Sequence, residues 1–201
     1  MYSFPSDSKK LSATIKRYEK SLQQEIKKYG FIDDGMGKRY LLGPMYLLKG
    51  DLEGALKSFN WFEKEFNDDI GEPGHLLCWT LALYKSGDID RATRKLVHTM
   101  LMNLYVFPHL FGQECKPFDM WHSSTYSEQG YVQLIPSELF GLWDKEAKDW
   151  AKRLYESEGM KKIRNRYIEI FKQLKSEPVG PKRSQLVKEA STLKAIDIKS
   201  V

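Results

Sequence analysis

Cysteine is nearly missing from this chain, with two in 201 residues, Cys78 and Cys115. Two thiols cannot build a disulfide framework, so the fold must be held by its core, and such sparing use fits a reducing compartment. Long apolar runs are missing too. The longest, Leu76 to Tyr84, is interrupted by Thr80 and is about half the roughly 20 residues that cross a bilayer, so no transmembrane helix is expected. The opening residues, Met-Tyr-Ser-Phe-Pro-Ser-Asp-Ser-Lys-Lys, place no apolar stretch before their lysines and lack the core of a secretory signal. The expectation is a cytoplasmic protein with no membrane partner. No glycine-rich phosphate loop, dinucleotide fingerprint, zinc-protease helix or calcium loop is found, and no cofactor or metal is expected.

What is present suffices for a core. At 41% hydrophobic, 13% aromatic and 29% charged residues, the composition is globular rather than disordered or coiled-coil. The length suits one domain with extra segments, or two small units. The net charge of +5 is unevenly spread. Lys and Arg outnumber Asp and Glu by 9 to 5 in residues 1–40 and by 13 to 6 in 151–201, whereas acids lead by 9 to 7 in 41–110 and by 7 to 3 in 111–150. Basic ends around an acidic middle read first as solvated helix faces and second as a footprint for an acidic partner.

Leu11, Ile15, Tyr18, Leu22, Ile26 and Tyr29 recur at spacings of 3 and 4 and predict an amphipathic helix over about 8–29, stopped by Gly30. The strongest signal is an internal repeat over 38–107. A shift of 37 lays Gly50 on Gly87, Asp51 on Asp88, Leu52 on Ile89, Ala55 on Ala92 and Phe59 on Leu96. Each copy reads as an apolar helix, a Gly-Asp turn and a second apolar helix. The glycine can take the left-handed conformation that ends one helix, and the aspartate can cap the next. Ala55, Ala92 and Gly43 are small where two helices approach closely.

Leu42-Gly43-x-x-Tyr46, Gly50 and Ala55-x-x-x-Phe59 resemble the helix–turn–helix pattern of the tetratricopeptide-repeat (TPR) family. The second copy keeps Gly87 and Ala92 but carries Trp79-Thr80 and Leu83 at the other positions. The early Trp of the family is replaced by Arg39 and Leu76, the closing Pro is missing, and Pro44 falls inside the expected first helix, which should kink it or delay its start. The resemblance implies a concave groove lined by the first helix of each hairpin. Carried over by register, its contact positions are Tyr40, Pro44, Leu47, Leu77, Leu81 and Tyr84. They are almost wholly apolar, unlike the basic clamp with which relatives hold a C-terminal carboxylate. Such a groove suits an amphipathic helix, or is filled by the terminal helices of this chain; self-packing is the favoured expectation.

After Pro108 a stretch of about 19 residues, 112–130, shows no period and is long for a connection. Leu139, Leu142, Trp143, Ala147, Trp150, Ala151 and Leu154, then Met160, Ile163, Tyr167, Ile170, Phe171 and Leu174, predict a third helical hairpin. A short final helix begun by Ser184 would carry Leu186, Val187, Ala190, Leu193 and Ile196.

His75 and Cys78 lie one turn apart, but two ligands are short of a zinc site, and His109, Cys115 and His122 match no metal spacing. His98 is the fourth histidine. Asp119, His122, Ser123 and Ser124 offer raw material for nucleophilic catalysis without the strand–turn–helix setting it needs. The loop aromatics Phe118, Trp121 and Tyr126, with Met120, read as anchors, and Trp121 and His122 as an exposed contact surface. The Asp-Asp pairs at 33–34 and 68–69 read as loop residues. Lys161, Lys162, Arg164 and Arg166 form a basic helix face able to meet the phosphates of RNA.

The sequence therefore predicts an all-α fold: a short TPR-like stack of helical hairpins, an α-solenoid fragment, capped by N- and C-terminal helices. Residues 1–176 would form one domain, with a helix in 1–30, two hairpins in 38–107, a long loop in 108–130 and a further hairpin in 131–176; 177–201 would be a linker and short helix. The expected function is a non-enzymatic adaptor that binds another protein through Tyr40, Leu47, Leu77, Leu81, Tyr84, Trp121 and His122. The alternative is RNA or ribonucleoprotein binding through the basic terminal helices.

Overall fold

The computed structural model describes residues 4–194, and among them all regular structure is helical. Helix α1 (Ser8–Tyr29) starts where the Asp7 carboxylate accepts the Lys10 N–H and ends at Gly30, whose φ of 77° is left-handed. Leu11, Ile15 and Leu22 of its stripe are buried against the rest of the fold, while the far end of the stripe, Ile26 and Tyr29, stays exposed.

Two hairpins follow, α2 (Lys38–Leu48) with α3 (Leu52–Glu65) and α4 (Pro73–Lys85) with α5 (Ile89–Met102). Their turns are copies of one another. Gly50 and Gly87 sit at φ 80° and 81°, and Asp51 and Asp88 cap the Gly54 and Arg91 N–H groups at 2.8 and 3.2 Å. The Asp N–H groups in turn reach back to the Tyr46 and Leu83 carbonyls, closing each first helix. Helix α2 begins at Lys38 with Pro44 inside it, so the proline does not delay its start. Helix α4 is buried from Pro73 to Leu83, packed among α2, α3, α5 and the later helices. That is the place of a helix apolar all round.

Helix α6 (Val106–Leu110) opens the long connection, which then makes two 3-10 turns, Thr125–Ser127 and Gln129–Leu134. The loop aromatics anchor as expected. Trp121 stacks on Phe171 at 5.8 Å and its backbone N–H donates to the Phe171 carbonyl, Phe118 lies on Tyr105, and Met120 is buried. The third hairpin departs from expectation in its first arm. That arm breaks into α7 (Ser137–Gly141) and α8 (Lys145–Tyr155), because Asp144 accepts the Ala147 N–H and starts a new helix. Helix α9 (Glu158–Leu174) follows, packing on α5, and α10 (Pro181–Lys194) lies against both. The last helix starts three residues before Ser184, with Pro181 at its first position, where a missing N–H is harmless. Leu186 and Ala190 bury it on the body of the fold, Val187 is exposed, and Ile196 lies outside the described residues. No helix among the described residues is long and apolar enough to cross a membrane.

Candidate functional site

The groove positions do not share one fate. Leu47, Leu77 and Leu81 are 8%, 0% and 1% exposed, so they are core and not contact residues. Their expected role is overturned because α7 and α8 pack across α2 and α4. Helices α7 and α8 from the middle of the chain pack on α2 and α4, and α1 also packs on α2, with buried Phe4 lining the same face as Leu41 and Pro44. Tyr84 is taken up by a stack on Trp150 at 4.6 Å, and Lys85 bonds the Leu142 carbonyl and pairs with Asp144 beside it.

One part of this face stays open. A cleft of about 500 Å³ lies at the N-terminal ends of α2 and α4, lined among others by Tyr40, Leu41, Pro44 and His75 and faced by Tyr131, Leu134 and Leu139. Met36 and Leu134 line it while remaining 81% and 54% exposed.

Hydrogen bonds lock its walls. The Asp34 carboxylate, buried, accepts the Lys38 and Arg39 N–H groups at 2.8 and 2.7 Å and so caps α2 from outside the helix. The Arg39 guanidinium spans Asp34 at 3.3 Å, Asp69 at 3.0 Å and the Tyr40 hydroxyl oxygen at 3.0 Å. Tyr40 donates its own proton to Asp69. Burial alone would push Asp69 up, but bonds from the Gly71 N–H, Tyr40 and Arg39 hold it below the usual carboxylate range. Burial pushes the phenol of Tyr40 well up. Glu72 caps α4 by accepting the Gly74 and His75 N–H groups and takes a third bond from the Tyr131 hydroxyl at 2.9 Å; burial still raises it above its ordinary value.

His75 repairs a defect made by Pro44. A helix needs the N–H of residue 44 to meet the carbonyl of residue 40, and proline has none. His75 Nδ1 stands 3.1 Å from that Tyr40 carbonyl oxygen, so the ring carries its proton on Nδ1 and donates it there. Burial lowers its pKa to about 3 and keeps it neutral. Its Nε2 has no hydrogen-bond partner among the described residues and lies among the rings of Phe59, Phe62 and Trp79. With the carboxylates and phenols committed to one another, this cleft offers a ligand a preformed shape with apolar edges.

Trp121 and His122 are not brought to this cleft. Arg183 lies over the Trp121 ring at 4.9 Å, and His122 Nδ1 is 3.1 Å from the Ser127 carbonyl. On the basic face, Arg166 holds Glu189 through two bonds and Glu169 through a third, Arg164 covers Tyr155, and Lys161 pairs with Glu158; Lys162 is exposed. Among the described residues no group of three His, Cys, Asp or Glu side chains is placed to hold a metal ion. Asp34, Asp69, Glu72 and Tyr131 went unrecognised in the sequence. Pro44 signalled only that some donor must meet the Tyr40 carbonyl, and that donor is His75. Compared with protein-family models, curated proteins and solved structures, the chain has no significant match.

Proposed function

We propose that the protein is a non-enzymatic scaffold or adaptor of TPR type, which takes an apolar anchor of a partner protein in the cleft at the N-terminal ends of α2 and α4. The observation that carries this reading is the pairing of exposed Met36 and Leu134 on a cleft whose walls are already locked by the Asp34–Arg39–Asp69 and Glu72–Tyr131 bonds. A preorganised wall spares a partner the cost of ordering it, and an apolar rim excludes water from the contact. The RNA alternative has less support, since Lys161, Arg164 and Arg166 already have partners within the chain.

The test is affinity capture from native cells, with and without nuclease, using the wild-type chain, Met36→Asp, Leu134→Asp and a control, Val187→Asp, on exposed α10. The reading expects a discrete protein that survives nuclease and is lost with either cleft variant but not with the control. Recovery that vanishes with nuclease, or that ignores both cleft variants, overturns it.

A further inference from the structure

Helix α1 buries one face and leaves the other to solvent, and every charged residue that it exposes is a lysine or an arginine. Its two acids are half-buried and already engaged. Glu19 accepts the Tyr46 hydroxyl, and Glu25 pairs with Lys38 at 3.1 Å. Among the described residues no carboxylate forms an ion pair with Lys16, Lys20 or Lys27.

Beside this face lies a hollow of about 230 Å³ between α1 and α3, with apolar walls from Leu22 and Ile26 of α1, Leu42 of α2 and Trp61 of α3. Small-molecule sites run from about 300 Å³ upward, so this one has the size for a single inserted side chain. Ile26 marks its rim at 38% exposed. Within the lining, the Ser58 hydroxyl is buried and has no hydrogen-bond partner among the described residues. A helical serine ordinarily returns its hydroxyl to a carbonyl one turn back, and a buried polar atom left unpaired calls for an explanation. One is that its partner arrives from outside.

The charge and the hollow coincide. Lys16, Lys20, Gln23 and Lys27 follow one another along α1 at spacings of 4, 3 and 4, which places them on one stripe, and Gln23 lines the hollow. The three lysines therefore stand in a row along its lip, and Lys57 lines it from α3. Glu19 is the one carboxylate in the lining, and Glu53, a turn from Lys57 on α3, lies outside it.

We propose that this surface binds an acidic segment of a partner protein, which inserts one Trp or Tyr side chain between α1 and α3 and lays its carboxylates along Lys16, Lys20 and Lys27. Nucleic acid would meet the lysines equally well, but a base in the hollow would strip water from several edge donors and acceptors, with the Ser58 hydroxyl as the one uncommitted answer. An indole or a phenol brings an apolar body and a single polar tip. The surface shares no lining residue with the cleft at the N-terminal ends of α2 and α4 and stands independently of it.

The experiment is fluorescence anisotropy of the full chain with a short labelled peptide of Asp and Glu around one Trp. Its companions are the same peptide with Ala for Trp, the same peptide with Asn and Gln for its acids, and an oligo-uridine of equal charge. The variants are Ile26→Asp at the rim, Lys20→Glu combined with Lys27→Glu, and Lys162→Glu on α9 as a control; all four positions are exposed. Saturable binding of the acidic Trp peptide is expected, weakened about tenfold by Ile26→Asp, by the paired lysine change and by either change to the peptide, and untouched by Lys162→Glu. Binding that ignores Ile26→Asp or survives loss of the Trp would reduce the contact to charge alone and overturn the proposal. So would a failure to saturate below about 1 mM. Tighter binding of oligo-uridine, lost with the paired lysine change, would assign the surface to nucleic acid instead.

Discussion

At the scale of single residues, the Tyr40 carbonyl is the position where one substitution reveals another. His75 supplies the hydrogen bond that Pro44 withholds. His75→Phe should keep the packing against Phe59 and Phe62 but strand a buried carbonyl, at about 1–3 kcal/mol. In a Pro44→Ala background the backbone supplies its own N–H, so the same substitution should be milder by about 1 kcal/mol. Chemical denaturation of the two single variants and the double variant checks this, and additive effects would sink the pairing. Pro44 was visible as an irregularity, but its partner lies 31 residues away. Nothing in local periodicity selects His75 over any other donor. The same limit hid Asp34, Asp69 and Glu72, since a loop aspartate that caps a helix and pairs with an arginine looks in sequence like one that meets water.

At the scale of elements, the legible parts are those whose rule is local. The Gly-Asp turns, the α1 boundaries and both repeated hairpins follow from capping and spacing within a few residues. The small residue at Gly43 was legible as a close approach, and the structure identifies what approaches. A Cβ there would stand 2.3 Å from Phe59, which is fully buried and stacked on Trp79 at 5.3 Å. The ring has nowhere to move, so Gly43→Ala should destabilise by about 1–3 kcal/mol through overpacking. A thermal melt showing no loss would mean that α2 and α3 can slide apart. The break between α7 and α8 was not legible, because the apolar spacing runs through Leu142 and Trp143 unbroken while a single cap at Asp144 divides the helix.

At the scale of the whole molecule, stability should depend on acid through its buried histidines. His75 and His98 are held near pKa 3 and 4 by burial, below the ordinary value of 6.5. Below pH 6.5 the unfolded chain binds protons that the folded chain refuses, so stability falls with pH by about 1.4 kcal/mol per unit for each. Glu72, raised in the fold, opposes this nearer its own range. Melting temperature should therefore decline between pH 6.5 and 5, and His98→Gln should flatten that decline; an identical slope in the variant would remove His98 from the account. The global arrangement was the least legible layer. Sequence periodicity showed that Leu77 and Leu81 face something apolar, and both an outside partner and the chain itself satisfy that condition.

The covering of α2 and α4 by α7 and α8 also sets an order of events at the ribosome. The two hairpins end at Met102, and the chain must grow by about 50 residues, to Tyr155, before their cover is complete. At about 5–20 residues per second, the apolar flank waits for several seconds in the open while translation continues. During that interval the nascent hairpins present the kind of surface that holding chaperones recognise, and the finished protein no longer does.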